Sequence, residues 1–146
     1  MGTQYISYGV FLFGYFLLIF FGELILSVLK SNVDLGSSSL IMLFSFSTFF
    51  SRWGGMTLVV SNQSNHVVEH INALIVSIVF FATIFLLYKQ LHINVFPFAQ
   101  IVAMLSVMPV IASQVYGTLN TNFIKYEKKV MIPMLGILIF INLLCY

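Results

Sequence analysis
From Tyr5 to Leu29 the chain carries one charged side chain, Glu23, in a run otherwise dense in Leu, Ile and aromatic residues. A helix rises about 1.5 Å per residue, so about 20 residues cross the hydrocarbon of a bilayer. The run is long enough to do so with some tilt. Four more apolar runs follow, over 38–60, 67–88, 95–116 and 130–146, separated by short polar segments. Across the 146 residues only 7% are charged, where a soluble domain carries about a quarter. So little charge cannot solvate a globule of this size, and the solvent expected for most of its surface is lipid. Lipid offers backbone groups no hydrogen-bond partner, so a spanning chain must be helical or a closed barrel. The alternating strands of a barrel are absent. The expected fold is an all-α integral membrane bundle of about five transmembrane helices forming one domain over 1–146. A formal net charge of +2 is too small to indicate nucleic acid. The single cysteine, Cys145, excludes an intrachain disulfide and a multi-cysteine metal site.

The longest interruption of this apolar pattern is RWGGMTLVVSNQSNHVVEH, from Arg52 to His70. It holds the only arginine and two of the three histidines. Gly54 and Gly55 are expected to interrupt the apolar span there, by allowing close packing or a break in the helix. On that span Ser38, Ser45, Thr48, Arg52 and Gly55 recur at helical spacing and share a face. On the third span Glu69, Asn72 and Ser77 lie near His66 and His70 in one wedge. On the fourth, Ser106, Pro109, Ser113 and Gly117 form a similar stripe. Small and hydroxyl residues let helices approach closely, so these stripes serve packing as readily as they line a cavity. Arg52, Glu69 and His70 differ, because charge at membrane depth is costly and faces a bundle interior or a water-filled cavity. Pro97 falls in the first turn of its helix, where an amide has no partner anyway. Pro109, inside the same helix, is expected to kink it.

HVVEH fits H-x-x-E-H, a spacing that lets two histidines on one helix share a zinc ion with a glutamate as base. A catalytic zinc needs a third protein ligand. Glu23, His92 and Glu127 are the candidates, and no second motif marks any of them. No metal site, cofactor or catalytic residue is therefore assigned, and the chain is not expected to be an enzyme.

GELILSVLKSNVDLG, then RWGGMTLVVSNQSNHVVEHINALIVSIVFF, then LHINVFPFAQIVAML resembles the C-terminal part of bacterial polysaccharide flippases. These are the O-antigen-type members of the multidrug/oligosaccharidyl-lipid/polysaccharide exporter superfamily. The positions that carry the resemblance are Ile25-Leu26, Ser31-Asn32, Ser64-Asn65, His70, and Leu91-His92-Ile93 with Pro97. The resemblance implies a two-lobed transporter of about a dozen helices, of which this chain holds most of one lobe. It implies alternating-access transport of undecaprenyl-diphosphate-linked oligosaccharide across the inner membrane, in the service of lipopolysaccharide synthesis. The partners expected are the lipid bilayer, the lipid-linked oligosaccharide and a missing N-terminal lobe, in the same chain or another. The chain is then a probable fragment.

A diphosphate crossing hydrocarbon needs a polar, cationic path. Arg52, His66, Glu69 and His70 are the expected substrate-binding residues, and Ser45, Thr48, Asn72 and Ser113 the expected cavity lining. Lys and Arg in short loops favour the cytoplasmic side. Arg52, Lys125, Lys128 and Lys129 outnumber Lys30 and Lys89. This puts the N-terminus in the cytoplasm and Tyr146 outside. Two other readings stay open: a non-transporting membrane subunit or scaffold whose stripes only pack, and an intramembrane zinc hydrolase using HVVEH.

Overall fold
The computed structural model describes residues 2–29, 37–62, 69–118 and 128–145. Every element among them is helical. In chain order they are α1 (Gly2–Val28), α2 (Ser38–Asn62), α3 (Glu69–Leu91), a 3-10 turn (His92–Asn94), α4 (Val95–Thr118) and α5 (Met131–Cys145). The 3-10 turn joins α3 and α4 without an intervening loop, so the described chain forms four helical stretches, the third bent back on itself. His92 makes the reversal, with φ at 48°. Histidine is among the few non-glycine residues enriched in that region.

Among the described residues two stretches, not five, are long and apolar enough to cross a membrane. They are Tyr5–Val28, 24 residues, and His70–Ser113, 44 residues with the turn inside it. The expectation of five separate spans fails for particular reasons. α2 is diluted by Ser38, Ser39, Ser45, Ser47, Thr48, Ser51 and Arg52. The apolar part of α5, Met131–Leu144, is shorter than a full span. α3 and α4 run into each other. Only 17% of the apolar window in the first stretch and 6% in the second is buried, so neither is the core helix of a water-soluble globule.

α2 is helical through Gly54 and Gly55 to Asn62, so there is no break in the helix there. Gly54 is used for contact instead: a Cβ there would collide with the terminal methyl of Met104 on α4. That close approach has its counterpart on α4, where Val95, Ala99, Ala103, Val107 and Ile111 recur every fourth residue and are buried. Small side chains at this spacing present a smooth face to α2 and α3, the two helices packed most extensively against α4. Pro97 is fully buried in the first turn of α4. Pro133 holds the matching third position of α5. In both, the missing N–H falls where the helix leaves its amides unpaired.

Contacts between helices show their directions. Ser51 and Gln100 are hydrogen-bonded at 3.3 Å, and Gly54 meets Met104, so α2 and α4 run parallel. Tyr5 Oη donates to the Lys129 carbonyl at 2.6 Å, and Tyr15 Oη to Asn142 Oδ1 at 2.6 Å, so α1 and α5 run parallel. Arg52 meets Ser7, and the Tyr8 ring lies 5.0 Å from that of Phe49, so α1 is antiparallel to α2. One apolar cluster ties α1, α2, α4 and α5 together through Tyr8, Leu12, Tyr15, Phe49, Trp53, Val107, Ile111 and Leu138.

Candidate ligand groove between the first two helices
α1 is packed thinly against its neighbours. Its buried stripe is Tyr8, Leu12 and Tyr15, and beside that stripe it stands off α2. The gap is an open groove of about 510 Å³. One wall is Val10, Phe11, Gly14, Tyr15 and Leu18 from α1; the other is Ile41, Phe44, Ser45, Thr48 and Arg52 from α2.

The groove is graded along its length. At one end Arg52 Nη1 donates to Ser7 Oγ at 2.9 Å, and its guanidinium carbon stands 5.5 Å from the Phe11 ring centroid. Arg52 is exposed, and among the described residues no carboxylate pairs with it. Its remaining N–H donors are directed by a planar fork suited to phosphate or carboxylate oxygens. The Ser7 bond and the Phe11 ring orient that fork without neutralising it. One helical turn away is Thr48, and beyond it Ser45, which is buried and donates to its own helix at the Met42 carbonyl, 2.7 Å away. The far end, between Gly14, Leu18, Ile41 and Phe44, is apolar apart from backbone. Nothing lies within 4 Å of where a Gly14 Cβ would stand, so the glycine keeps that end open.

Among the described residues, the expected site residues are divided between the groove and places outside it. Ser45, Thr48 and Arg52 are together on the groove wall. Ser38, at the first turn of α2, and Gly55 are exposed and outside the groove. His70 is exposed at the start of α3, and Asn72 is buried along the same helix. Neither lines the groove. Ser113, expected to line a cavity, is exposed, as are Ser106 and Pro109 of the same stripe, so these three lie off the buried face of α4. Those serines need no partner helix: Ser106 Oγ donates to the Ala103 carbonyl at 2.7 Å and Ser113 Oγ to the Val110 carbonyl at 2.8 Å. His66 and the side-chain surroundings of Glu69 lie outside the described residues. Among the described residues no three His, Cys, Asp or Glu side chains converge. His70 and His92 sit at opposite ends of α3, about 33 Å apart by helical rise.

Sequence reasoning also missed the partner that holds α1 in place. Tyr15 is 6% exposed and Asn142 5%. The Asn142 amide donates to the Leu138 carbonyl of its own helix at 2.8 Å, which aims its oxygen at the Tyr15 hydroxyl. The signal was present, since Asn142 is the one polar side chain in α5. No family model, curated protein or solved structure matches this chain.

Proposed function
We propose that this chain is a membrane-embedded part of a transporter for isoprenyl-diphosphate-linked oligosaccharide, and that the groove between α1 and α2 is where it contacts that substrate. α1 and the two arms of the α3–α4 hairpin cross the bilayer. The support for this is the large apolar surface left exposed, including Phe81, Phe85 and Leu86 on α3 and Leu143 on α5. A monomer in water does not leave so continuous an apolar surface uncovered. The observation that carries the substrate reading is the grading of the groove, with an unneutralised arginine at one end and an apolar channel at the other. A lipid diphosphate has the complementary order, two phosphates followed by hydrocarbon. The membrane is the cytoplasmic one, and by the bias of basic residues the N-terminus is cytoplasmic.

The test is translocation in reconstituted vesicles of a fluorescent short-chain isoprenyl-diphosphate disaccharide, followed by quenching from outside. Wild-type protein accelerates its passage over protein-free vesicles. Arg52→Ala abolishes the acceleration and Arg52→Lys reduces it, because lysine offers a point charge rather than a fork. Wild-type vesicles no faster than empty ones overturn the proposal.

A further inference from the structure
We infer that the groove holds one anionic membrane lipid lengthwise, its phosphate on Arg52 and a single hydrocarbon chain laid along Gly14, Leu18, Ile41 and Phe44. This rests on the reading of the chain as membrane-embedded with Arg52 as its anion contact, and it adds the chain-binding half of the site and the residue that sets its width. Three observations converge on it.

The first is length. From Arg52 to Ile41 the α2 wall runs eleven residues by their numbering. At about 1.5 Å per residue that is roughly 16 Å, against ~15 Å for half of a 30 Å hydrocarbon core. The whole groove, from Arg52 to its apolar end, thus matches the reach of one leaflet's lipid from phosphate to chain.

The second is charge. The cation stands at one end only, and every other lining side chain apart from Ser45, Thr48 and the Tyr15 hydroxyl is hydrocarbon. Ser45 is bonded to its own helix and the Tyr15 hydroxyl is bonded away from the groove to Asn142. A free inorganic phosphate would find Arg52 and the Thr48 hydroxyl but gain nothing from the apolar end. A neutral lipid would gain the channel and leave the guanidinium without an anion.

The third is the gap at Gly14. Val10, Phe11 and Leu18 bring side chains to the α1 wall, and Gly14 brings none. Nothing lies within 4 Å of where its side chain would begin, so the α1 wall is recessed at that point of the groove. A branched or aromatic side chain at 14 narrows the channel without touching Arg52. Gly14 is therefore the residue that sets which chains fit.

The probe is phosphatidic acid carrying a photoactivatable group either near the glycerol or at the end of one chain, in phosphatidylcholine vesicles containing the full chain. The headgroup-proximal label is expected on Phe11 and neighbouring residues, and the chain-end label on Leu18 and Ile41. Arg52→Ala lowers both by about ten- to a hundredfold, the loss expected for a charge-assisted hydrogen bond. Gly14→Phe lowers the chain-end label and spares the headgroup-proximal one. Ile41→Phe, narrowing the opposite wall, does the same and guards against misfolding of the Gly14 variant. Excess inorganic phosphate does not compete; if it displaces the lipid, Arg52 is a phosphate site and the lengthwise seat is wrong. Labels spread equally over Phe81 and Phe85 show ordinary boundary lipid and overturn the inference. Lipid labelled as described but with no translocation of the oligosaccharide sinks the transport reading alone.

Discussion

The hydrogen bond between Tyr15 and Asn142 holds the groove's outer wall in place, and its strength can be worked out from its surroundings. Both residues are nearly buried, the bond is 2.6 Å long, and the amide is fixed by its second bond to Leu138. Tyr15→Phe leaves the Asn142 oxygen buried without this donor. A stranded buried polar group costs about 1–3 kcal/mol in soluble proteins, whereas interhelical hydrogen bonds in membranes average ~0.6 and reach ~1.7. The unfolded chain in lipid also finds partners, so the lower range decides: about 0.6–1.7 kcal/mol for Tyr15→Phe. Asn142→Leu removes the acceptor of that bond and should cost a similar amount. The double variant removes both polar ends and should cost less than the sum of the two. The assay is reversible unfolding in mixed detergent micelles, run as a double-mutant cycle. A coupling energy indistinguishable from zero refutes the view that this bond fastens α1 to α5. Because Tyr15→Phe keeps the ring on the groove wall, any loss of lipid labelling in that variant reports displacement of α1, not loss of a lining contact.

Three further outcomes follow from single positions. His92→Gly should be neutral or stabilising and His92→Val destabilising by about 1–2 kcal/mol, since a β-branched residue resists a φ of 48°; the same micelle unfolding measures it. Gly54→Leu should cost about 1–3 kcal/mol by forcing Met104 out of its place, and Met104→Ala in the same chain should recover part of that; no recovery would mean the Gly54 contact is not with Met104. Cysteine placed at 48 should react with a water-soluble thiol reagent and be protected by phosphatidic acid, while cysteine at 85, on the exposed apolar face of α3, should resist the reagent with or without lipid.

Much of the helical content was legible because its cause is local. Runs of apolar residues in a chain so poor in charge leave no other backbone solution. The shared face of Ser45, Thr48 and Arg52 was legible for the same reason, since spacing of three and four puts residues on one side of a helix whatever it packs against. What the pattern hides is which side is covered. Ser106 and Ser113 have the same spacing as a packing stripe and are exposed, because a serine that bonds its own helix looks identical in sequence to one that bonds a neighbour. Gly54-Gly55 could be read as a close packing contact or a break, and Gly54 is a close contact; the sequence could not decide, because the residue that does, Met104, is fifty positions away. The reversal at His92 was legible, because a polar segment over 89–94 separates two apolar runs and the chain turns within it. Groove residues on α1 were missed altogether: Phe11, Gly14 and Leu18 carry no chemistry of their own, and become a site only when α2 supplies the arginine.

That dependence on α2 explains why α1 can form a groove at all. A helix packed along its whole length would fill the space beside Thr48 and Arg52 with side chains. α1 instead touches its neighbours through the Tyr8–Leu12–Tyr15 stripe and is held at its edges by polar bonds: Tyr5 to the Lys129 carbonyl, Ser7 to Arg52 and Tyr15 to Asn142. Polar bonds fix a helix at points, whereas apolar packing in lipid requires continuous contact to outcompete the acyl chains. Points of attachment leave the surface between them open, and in a bilayer an open apolar surface is filled by a lipid chain. The Ser7–Arg52 bond adds the anion contact at the end where such a chain would have its phosphate. The same few bonds that keep α1 on the protein thus hold the groove open and fix the end at which its charge lies.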